Sequence, residues 1–195
     1  MTTLAPLWGL ILAGGRSSRM GQDKGSLILH GGSQRSHIAQ LLAGTCERVF
    51  VSCREDQRST LEPGLTPLID QEADLGPMGG IVSAVGDHPD VAWLVVACDL
   101  PDLSPALLGV LTAGRATDRP AVALRDPTSQ QLEPLLAIWE PAMAPILRLA
   151  LAQGDRSPRF VLESAGCHVI ASPVAVVNLN TPDDLQHWQT ASGLL

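Results

Sequence analysis

The residues best suited to chemistry lie in one loop near the start of the chain. The apolar run Leu10-Ile11-Leu12-Ala13 passes into Gly14-Gly15-Arg16-Ser17-Ser18-Arg19-Met20-Gly21-Gln22-Asp23-Lys24. Adjacent glycines let backbone N–H groups approach a phosphate closely, and arginine and lysine neutralise its charge. The dinucleotide pattern G-x-G-x-x-G and the P-loop pattern G-K-[ST] are both absent. The loop therefore predicts a phosphate site of another type, with a solvated surface loop as the alternative.

A candidate metal ligand follows a second apolar run. Asp99 comes just after Val91–Ala97, at the carboxyl end of a predicted buried strand, where open α/β sheets bind ligands. Its carboxylate suits Mg²⁺, which bridges phosphate oxygens. The alternative is a turn or helix-capping aspartate before Pro101, although Asp102 fits that role better.

Two amides near the end of the chain form a third candidate. Asn178 and Asn180 are two residues apart, so they point to the same side of an extended chain and can face one ligand. A turn stabilised by asparagine side chains is the alternative. Thr181-Pro182-Asp183-Asp184 then predicts a helix start, with a hydroxyl cap, proline in the first turn and an acid near the cap.

Other catalytic chemistries have no pattern in the sequence. There is no G-x-S-x-G elbow and no H-E-x-x-H pair, and the five histidines show no site-like spacing. The four cysteines form no CxxC pair and are interpreted as small buried thiols, which fits a reducing cytoplasm. No export signal is visible at the amino terminus, so we expect a cytoplasmic protein.

Charge is distributed unevenly. The chain has 12 arginines and a single lysine, Lys24, against 20 acidic residues, for a net charge of −7. Residues 1–54 nevertheless carry six basic and two acidic side chains. This balance argues against nucleic acid or an anionic membrane as a partner but allows a small anionic ligand. No apolar run approaches the length of a membrane span.

Short apolar runs alternate with helical segments along the chain, and no linker or repeat divides it. Uniformly apolar runs such as Trp93–Ala97 are typical of strands buried on both faces of a parallel sheet. The alternation predicts one α/β domain over residues 1–195. The predicted strands are Leu7–Ala13, Val49–Ser52, Thr66–Ile69, Val91–Ala97, Ala121–Leu124, Leu135–Trp139, Cys167–Ile170 and Val174–Val177. The predicted helices are Ser36–Leu42, Gly80–Val85, Ser104–Thr112, Ala142–Gln153 and one that starts after Thr181.

The stretch L-A-G-G-R-S-S-R-M-G-Q-D-K resembles the signature of the molybdenum cofactor guanylyltransferase (MobA) family, within the MobA-like NTP transferases. Sugar-phosphate nucleotidyltransferases begin similarly but usually carry two more residues between the methionine and the lysine. Further similar segments follow in the family's order: Pro67–Asp70, Leu75–Gly80, Ala97–Pro101, Glu133–Ala137 and Val177–Pro182. The resemblance covers about Leu10 to Trp188.

The resemblance implies a Rossmann-like three-layer α/β sandwich around a mostly parallel, mixed sheet, as in nucleotide-diphospho-sugar transferases. It also implies transfer of GMP from GTP to the terminal phosphate of molybdopterin, with Mg²⁺ as cofactor and release of pyrophosphate. Proteins of molybdopterin synthesis and insertion are possible partners on the same ground.

The resemblance further assigns roles to individual residues. The nucleotide would be held by Leu12, Ala13, Gly14, Gly15, Lys24, Ser52, Asp70, Gly76, Gly79 and Asp99, with Asp99 also on the metal. Asn178 and Asn180 would face the pterin. From their own chemistry, Lys24 is expected on the phosphates and Arg19 on the departing pyrophosphate, so that Arg19, Lys24 and Asp99 form the catalytic set.

Two features of the sequence leave open which nucleotide base is used and whether the protein is an enzyme. Relatives often carry asparagine where this chain has Ser52, and cytidylyltransferase relatives usually read L-A-A-G where this chain has Gly14. Gly14 favours guanylyl transfer, while cytidylyl transfer and another phosphorylated acceptor stay open. A nucleotide-binding module without catalytic activity is the alternative from another class.

Overall fold

Seven strands form one sheet in the computed structural model, which describes residues 3–15, 23–72 and 75–193. In chain order they are β1 (Leu7–Leu12), β2 (Arg48–Cys53), β3 (Pro67–Ile69), β4 (Ala92–Ala97), β5 (Ala121–Arg125), β6 (Leu132–Trp139) and β7 (His168–Ala171). Their order across the sheet is β3-β2-β1-β4-β6-β5-β7, and β6 alone among them runs opposite to the rest. The sheet is therefore mixed and mostly parallel, which confirms the expected architecture.

The central strands carry apolar side chains at almost every position. Leu10 on β1 is paired with Val95 on β4 and with Phe50 on β2, and all three side chains are buried. Strands buried on both faces need apolar side chains at consecutive positions, which the runs in β1 and β4 supply.

Helices cover both faces of the sheet. Helices α1 (Gln34–Ala43) and α3 (Pro105–Ala113) pack on one face, and α2 (Pro77–Asp87), α4 (Met143–Ala152) and α5 (Pro158–Ala165) pack on the other. Ser33, Ser104 and Ser157 each accept a hydrogen bond from a backbone N–H of the helix that follows. These caps satisfy amides that the first turn leaves unpaired.

The last helix, α6 (Pro182–Ala191), packs apart from the two main layers. Trp188 and Leu179 form a small cluster with Leu27 and Leu29. The Trp188 indole also donates to Asp102 Oδ1 at 2.7 Å. Asp102 therefore has a structural partner, and α6 is tied to the loop that follows β4.

Several element predictions are confirmed and one is wrong. The capping box at Thr181 is present, with reciprocal bonds to Asp184. The run Val174–Val177 forms no strand, because the Val176 N–H donates to the Asp126 carboxylate instead of to a neighbouring strand. Helix α5 was not predicted. In the described ranges, no helix has the length and apolarity needed to cross a membrane.

Candidate functional site

A cavity of about 570 Å³ opens at the carboxyl ends of β1, β2 and β4. The chain leaves β1 toward β2 on one side, while β4 pairs with β1 on the other side. This reversal of strand order separates the loops and leaves the crevice in which open α/β sheets bind ligands. The volume is within the usual range of small-molecule sites.

Most of the predicted nucleotide residues line this cavity. They are Leu12, Ala13, Gly14, Gly15, Lys24, Ser52, Asp70, Gly76 and Asp99. Gly79 does not line it; it lies in the first turn of α2, and an added Cβ there would be 3.0 Å from the Glu72 carbonyl oxygen. Arg19 lies outside the described residues.

Lys24 joins the cavity to the segment before α6. Its Nζ donates to Asp99 Oδ2 at 3.0 Å and to Asn180 Oδ1 at 2.8 Å, and the Lys24 and Asp99 side chains are both largely buried. The Leu179 N–H donates to the Asp99 carbonyl oxygen at 2.9 Å, which fixes this segment against the end of β4. Lys24 thus contacts both Asp99 and Asn180, although the three residues are distant in sequence.

Asn178 lies farther from this point. It is half-buried, and its amide is 3.5 Å from the Val176 carbonyl oxygen. Between the two asparagines, Leu179 turns inward and is buried. The alternation of an extended chain is therefore present. Of the two asparagines, Asn180 is the one with a described side-chain bond to Lys24.

The second oxygen of Asp99 is suited to a cation. Asp99 Oδ1 is buried and has no hydrogen-bond partner among the described residues. A buried carboxylate oxygen without a donor is costly unless a donor or a cation completes it. Within the described ranges, no group of three or more His, Cys, Asp and Glu side chains forms a ready-made metal cage. Asp99 therefore fits Mg²⁺, which proteins commonly hold with one or two carboxylates together with substrate phosphates.

Asp70 lines the cavity away from Lys24 and lies close to Gly14. Its Oδ1 accepts a hydrogen bond of 2.6 Å from the Ser52 hydroxyl. An added Cβ on Gly14 would be 2.5 Å from Asp70 Oδ2. Burial raises the pKa of the Asp70 carboxyl, although the Ser52 bond and the Arg54 charge act the other way. Glycine at position 14 is therefore what allows this carboxylate to reach the end of β1.

Arg54 is a cavity residue that the sequence analysis missed. It follows β2 directly, and its Nη1 donates to the Gly14 carbonyl oxygen at 2.7 Å while its Nε bonds Asp56. Its place after a buried strand is the same signal that identified Asp99. The guanidinium adds positive charge beside the glycine pair.

Cys98 also lines the cavity, but it is not a nucleophile. Burial, together with the nearby Asp99 charge, raises the pKa of its thiol to about 12. Since the thiolate is the reactive form, the protonated thiol is inert near neutral pH.

A family model for the MobA-like NTP transferase domain matches residues 9–169. The chain belongs to this family. A molybdenum cofactor guanylyltransferase from Serratia proteamaculans is 32% identical over 192 residues, covering 95% of each chain. One from Pseudomonas aeruginosa strain PAO1 is 37% identical, covering 93% of this chain and 94% of the relative.

A longer relative is similar in sequence, and two solved structures have a similar fold. The molybdenum cofactor biosynthesis bifunctional protein of Synechocystis is 34% identical over 92% of this chain, and the chain spans about half (52%) of its length. The molybdopterin-guanine dinucleotide biosynthesis protein A of Archaeoglobus fulgidus has a TM-score of 0.75 at 24% identity, covering 96% of this chain and 100% of that one. A CMP:2-keto-3-deoxy-manno-octonic acid synthetase has a TM-score of 0.76 at 12% identity, covering 97% and 99%. These two structures share the fold of the MobA-like domain.

Proposed function

We propose that the protein transfers GMP from GTP to the terminal phosphate of molybdopterin, forming the guanine dinucleotide cofactor and releasing pyrophosphate. The observation that carries this proposal is the position of Lys24 Nζ, within 3.0 Å of both Asp99 and Asn180. One cation thus lies between the nucleotide cavity and the proposed acceptor segment. Relatives named molybdenum cofactor guanylyltransferase, matched over nearly their whole length, support the same activity.

The reaction needs positioning and charge neutralisation more than a reactive side chain. An oxygen of the acceptor phosphate forms a bond to the α-phosphorus of GTP, and the bond from that phosphorus to the bridging oxygen of the β-phosphate breaks. The electron pair leaves with pyrophosphate. Holding both phosphates in line therefore supplies much of the rate, and no covalent enzyme intermediate is required.

Lys24 and Arg19 would divide the phosphate charge. The Lys24 ammonium is a compact charge that can move from Asp99 and Asn180 to the α-phosphate as negative charge develops. Arg19 offers a planar fork and is assigned to the departing pyrophosphate, on the sequence alone. Arg54 supplies a further cation at the glycine loop.

Asp99 would hold Mg²⁺ through the oxygen that has no donor in the described residues. When bound, the ion neutralises phosphate charge and orients the triphosphate. Losing the ion would leave a buried carboxylate facing the phosphates, which predicts that chelation abolishes transfer.

The nucleoside end of GTP would lie along Leu12 to Gly15, against Ser52, Asp70 and Gly76. Gly79 would act from the first turn of α2, behind this wall. Since Gly14 allows Asp70 close to the end of β1, the carboxylate can accept hydrogen bonds from a nucleoside. Ribose hydroxyls and the amino groups of either base can donate to it, so the preference for guanine over cytosine rests on the Gly14 pattern and on the relatives named guanylyltransferase.

The acceptor would bind on the side of Asn178 and Asn180, beyond Lys24. Proteins that make or insert molybdopterin are proposed as partners only through the family. A cytoplasmic location and one domain over residues 1–195 stay predictions, the second supported by a single sheet that runs from β1 to β7.

The test is pyrophosphate release with Mg²⁺ and either GTP or CTP, with and without molybdopterin. The expected result is release with GTP only when molybdopterin is present, and none after chelation. Preference for CTP would favour the cytidylyltransferase alternative. Nucleotide binding without pyrophosphate release from any nucleotide would favour the non-catalytic module.

A further inference from the structure

A buried arginine that does not line the cavity lies beneath the lysine segment. Arg35 is in the first turn of α1, and its side chain is 3% exposed. Neither the phosphates nor the metal would touch it, because it is absent from the cavity wall. A buried guanidinium is costly unless its donors are paired, so its partners indicate what it does.

Its partners are two carboxylates from different loops. Arg35 Nη1 donates to Asp23 Oδ2 at 2.6 Å, while Nε and Nη2 donate to the two Glu62 oxygens at 3.2 and 3.3 Å. The planar fork thus binds Glu62 with two bonds and reaches Asp23 with a third donor. Burial opposes charge on Glu62, yet hydrogen bonds, those from Ser33 and Arg35 among them, lower its pKa overall. Glu62 is therefore charged at neutral pH.

The same arginine packs against both neighbours of Lys24. Asp23 uses its other oxygen to accept the Gly25 N–H at 3.0 Å, which caps the short 3₁₀ turn Lys24–Ser26. Gly25 lies directly on the arginine stem, where an added Cβ would be 2.6 Å from Arg35 Cγ and 2.7 Å from Cδ. The backbone on each side of Lys24 is thus fixed by Arg35.

We propose that Arg35 is a positioning residue for Lys24: by holding Asp23 and Gly25 against α1 and Glu62, it sets where the Lys24 ammonium enters the cavity. This proposal rests on the proposed function only for the role of Lys24 in transfer. A lysine side chain is flexible, so the location of its backbone decides whether the ammonium meets Asp99, Asn180 and the α-phosphate together.

The chain offers a matched control in a second buried arginine. Arg115 also binds a carboxylate through two bonds, to Glu140 at 2.6 and 2.9 Å, and both side chains are 8% exposed. Arg115 also donates to the Ala5 carbonyl oxygen, before the start of β1, and is thus at the end of the sheet opposite the cavity. Arg35→Met and Arg115→Met each remove a buried, paired guanidinium, so both are expected to lower thermal stability.

The experiment compares these two variants at a temperature where both are fully folded. For pyrophosphate release at saturating Mg²⁺–GTP, we expect Arg35→Met to lower kcat about 10- to 100-fold and Arg115→Met to change it less than about 2-fold. In a Lys24→Met background, Arg35→Met should cost less than about 3-fold, because residues that act as a unit are non-additive. Equal losses in both backgrounds, or equal effects of the two arginines, would overturn the proposal.

A second measurement does not depend on activity. Hydrogen exchange of the Gly25 amide, relative to that of Val95 in β4, should accelerate at least 10-fold in Arg35→Met and stay unchanged in Arg115→Met. Asp23→Asn, which keeps a side-chain oxygen for Gly25 but loses its charge, should give a smaller change of the same kind if Arg35→Met does not fold. Unchanged exchange would contradict the proposal. If the wild-type protein releases no pyrophosphate, the proposed function fails while the exchange data still decide whether Arg35 holds the segment.

Discussion

Lys24 and Asp70 show how two single side chains can define opposite ends of one site. Lys24 lies at the end proposed for the phosphates, where its ammonium contacts one carboxylate and one amide. Asp70 lies at the end proposed for the nucleoside, where burial disfavours the charged carboxylate and the Ser52 hydroxyl stabilises it. Buried ionisable side chains with a shifted pKa are common at functional sites, where a bound ligand can interact with their charge.

Lys24→Met should lower the rate of pyrophosphate release about 10²- to 10³-fold, the usual loss for one preorganised donor. The physical reason is that no other residue bonds both Asp99 and Asn180 among the contacts described. Steady-state rates at saturating Mg²⁺–GTP measure the effect. Arg148→Met, which removes an exposed cation on α4, is the control and should leave the rate unchanged. A Lys24→Met enzyme with a near-normal rate would contradict the assignment.

Asp70→Asn should raise the melting temperature near pH 7 while weakening GTP binding. The folded protein raises the pKa of Asp70, so the charged carboxylate destabilises the fold above that pKa. This destabilisation disappears as the pH falls through the folded pKa, so the melting temperatures of variant and wild type should converge in acid. Thermal melts between pH 4 and pH 8 check this. If the difference in melting temperature between variant and wild type grew on acidification, the upward direction of the Asp70 pKa shift would be wrong.

At the scale of elements, α2 packs close to the sheet beside the end of the cavity proposed for the nucleoside. Gly80 in the first turn of α2 lies directly on the Ser52 hydroxyl and on Leu12 Cδ2, with no room for a side chain. Gly76, which precedes the helix, has a φ of 57°, a conformation that glycine adopts without strain. The spacing of these glycines therefore brings the helix close to the ends of β1 and β2.

Gly80→Ala should destabilise the protein by about 1–3 kcal/mol, the usual cost of overpacking, and should weaken nucleotide binding because Ser52 must move. Gly86→Ala, in the same helix but with nothing within 4 Å of the added Cβ, should be neutral or stabilise by up to about 1 kcal/mol. Denaturant unfolding of both variants makes the comparison. Equal effects at the two positions would refute the close-packing account.

The elements that could be predicted from sequence are those whose signal is local. The buried strands and the capping box at Thr181 each carry their signal within a few neighbouring residues. The phosphate role of the glycine loop stays a prediction, since residues 16–22 lie outside the described ranges. Arg54 was missed although it follows β2 as Asp99 follows β4, because its role depends on the Gly14 carbonyl 40 residues away.

The strand predicted at Val174–Val177 is wrong because a carboxylate distant in sequence, Asp126, accepts the hydrogen bond of the Val176 backbone N–H. The hydrogen bonds from Arg35 to Asp23 and Glu62 join residues 12 and 27 positions apart, so no short sequence pattern indicates them.

At the scale of the whole molecule, the order of the strands explains why these residues meet. The parallel pairing of β1 with β4 places their carboxyl ends side by side, and the packing of α6 on Leu27 and Leu29 brings Asn180 to the same region. Side chains from residues 24, 99 and 180 thus meet through the topology. The nucleotide and the acceptor would then bind on the two sides of one lysine.

The most direct test of this account follows the α-phosphate of GTP. Purified protein would be incubated with Mg²⁺, molybdopterin and GTP labelled with ³²P at either the α- or the γ-phosphate. If GMP is transferred at this site, the α-label enters a molybdopterin dinucleotide while the γ-label leaves in pyrophosphate, with one label transferred for each pyrophosphate released. Release of the γ-label as single phosphate, or no α-label in the pterin product, would contradict nucleotidyl transfer at this site.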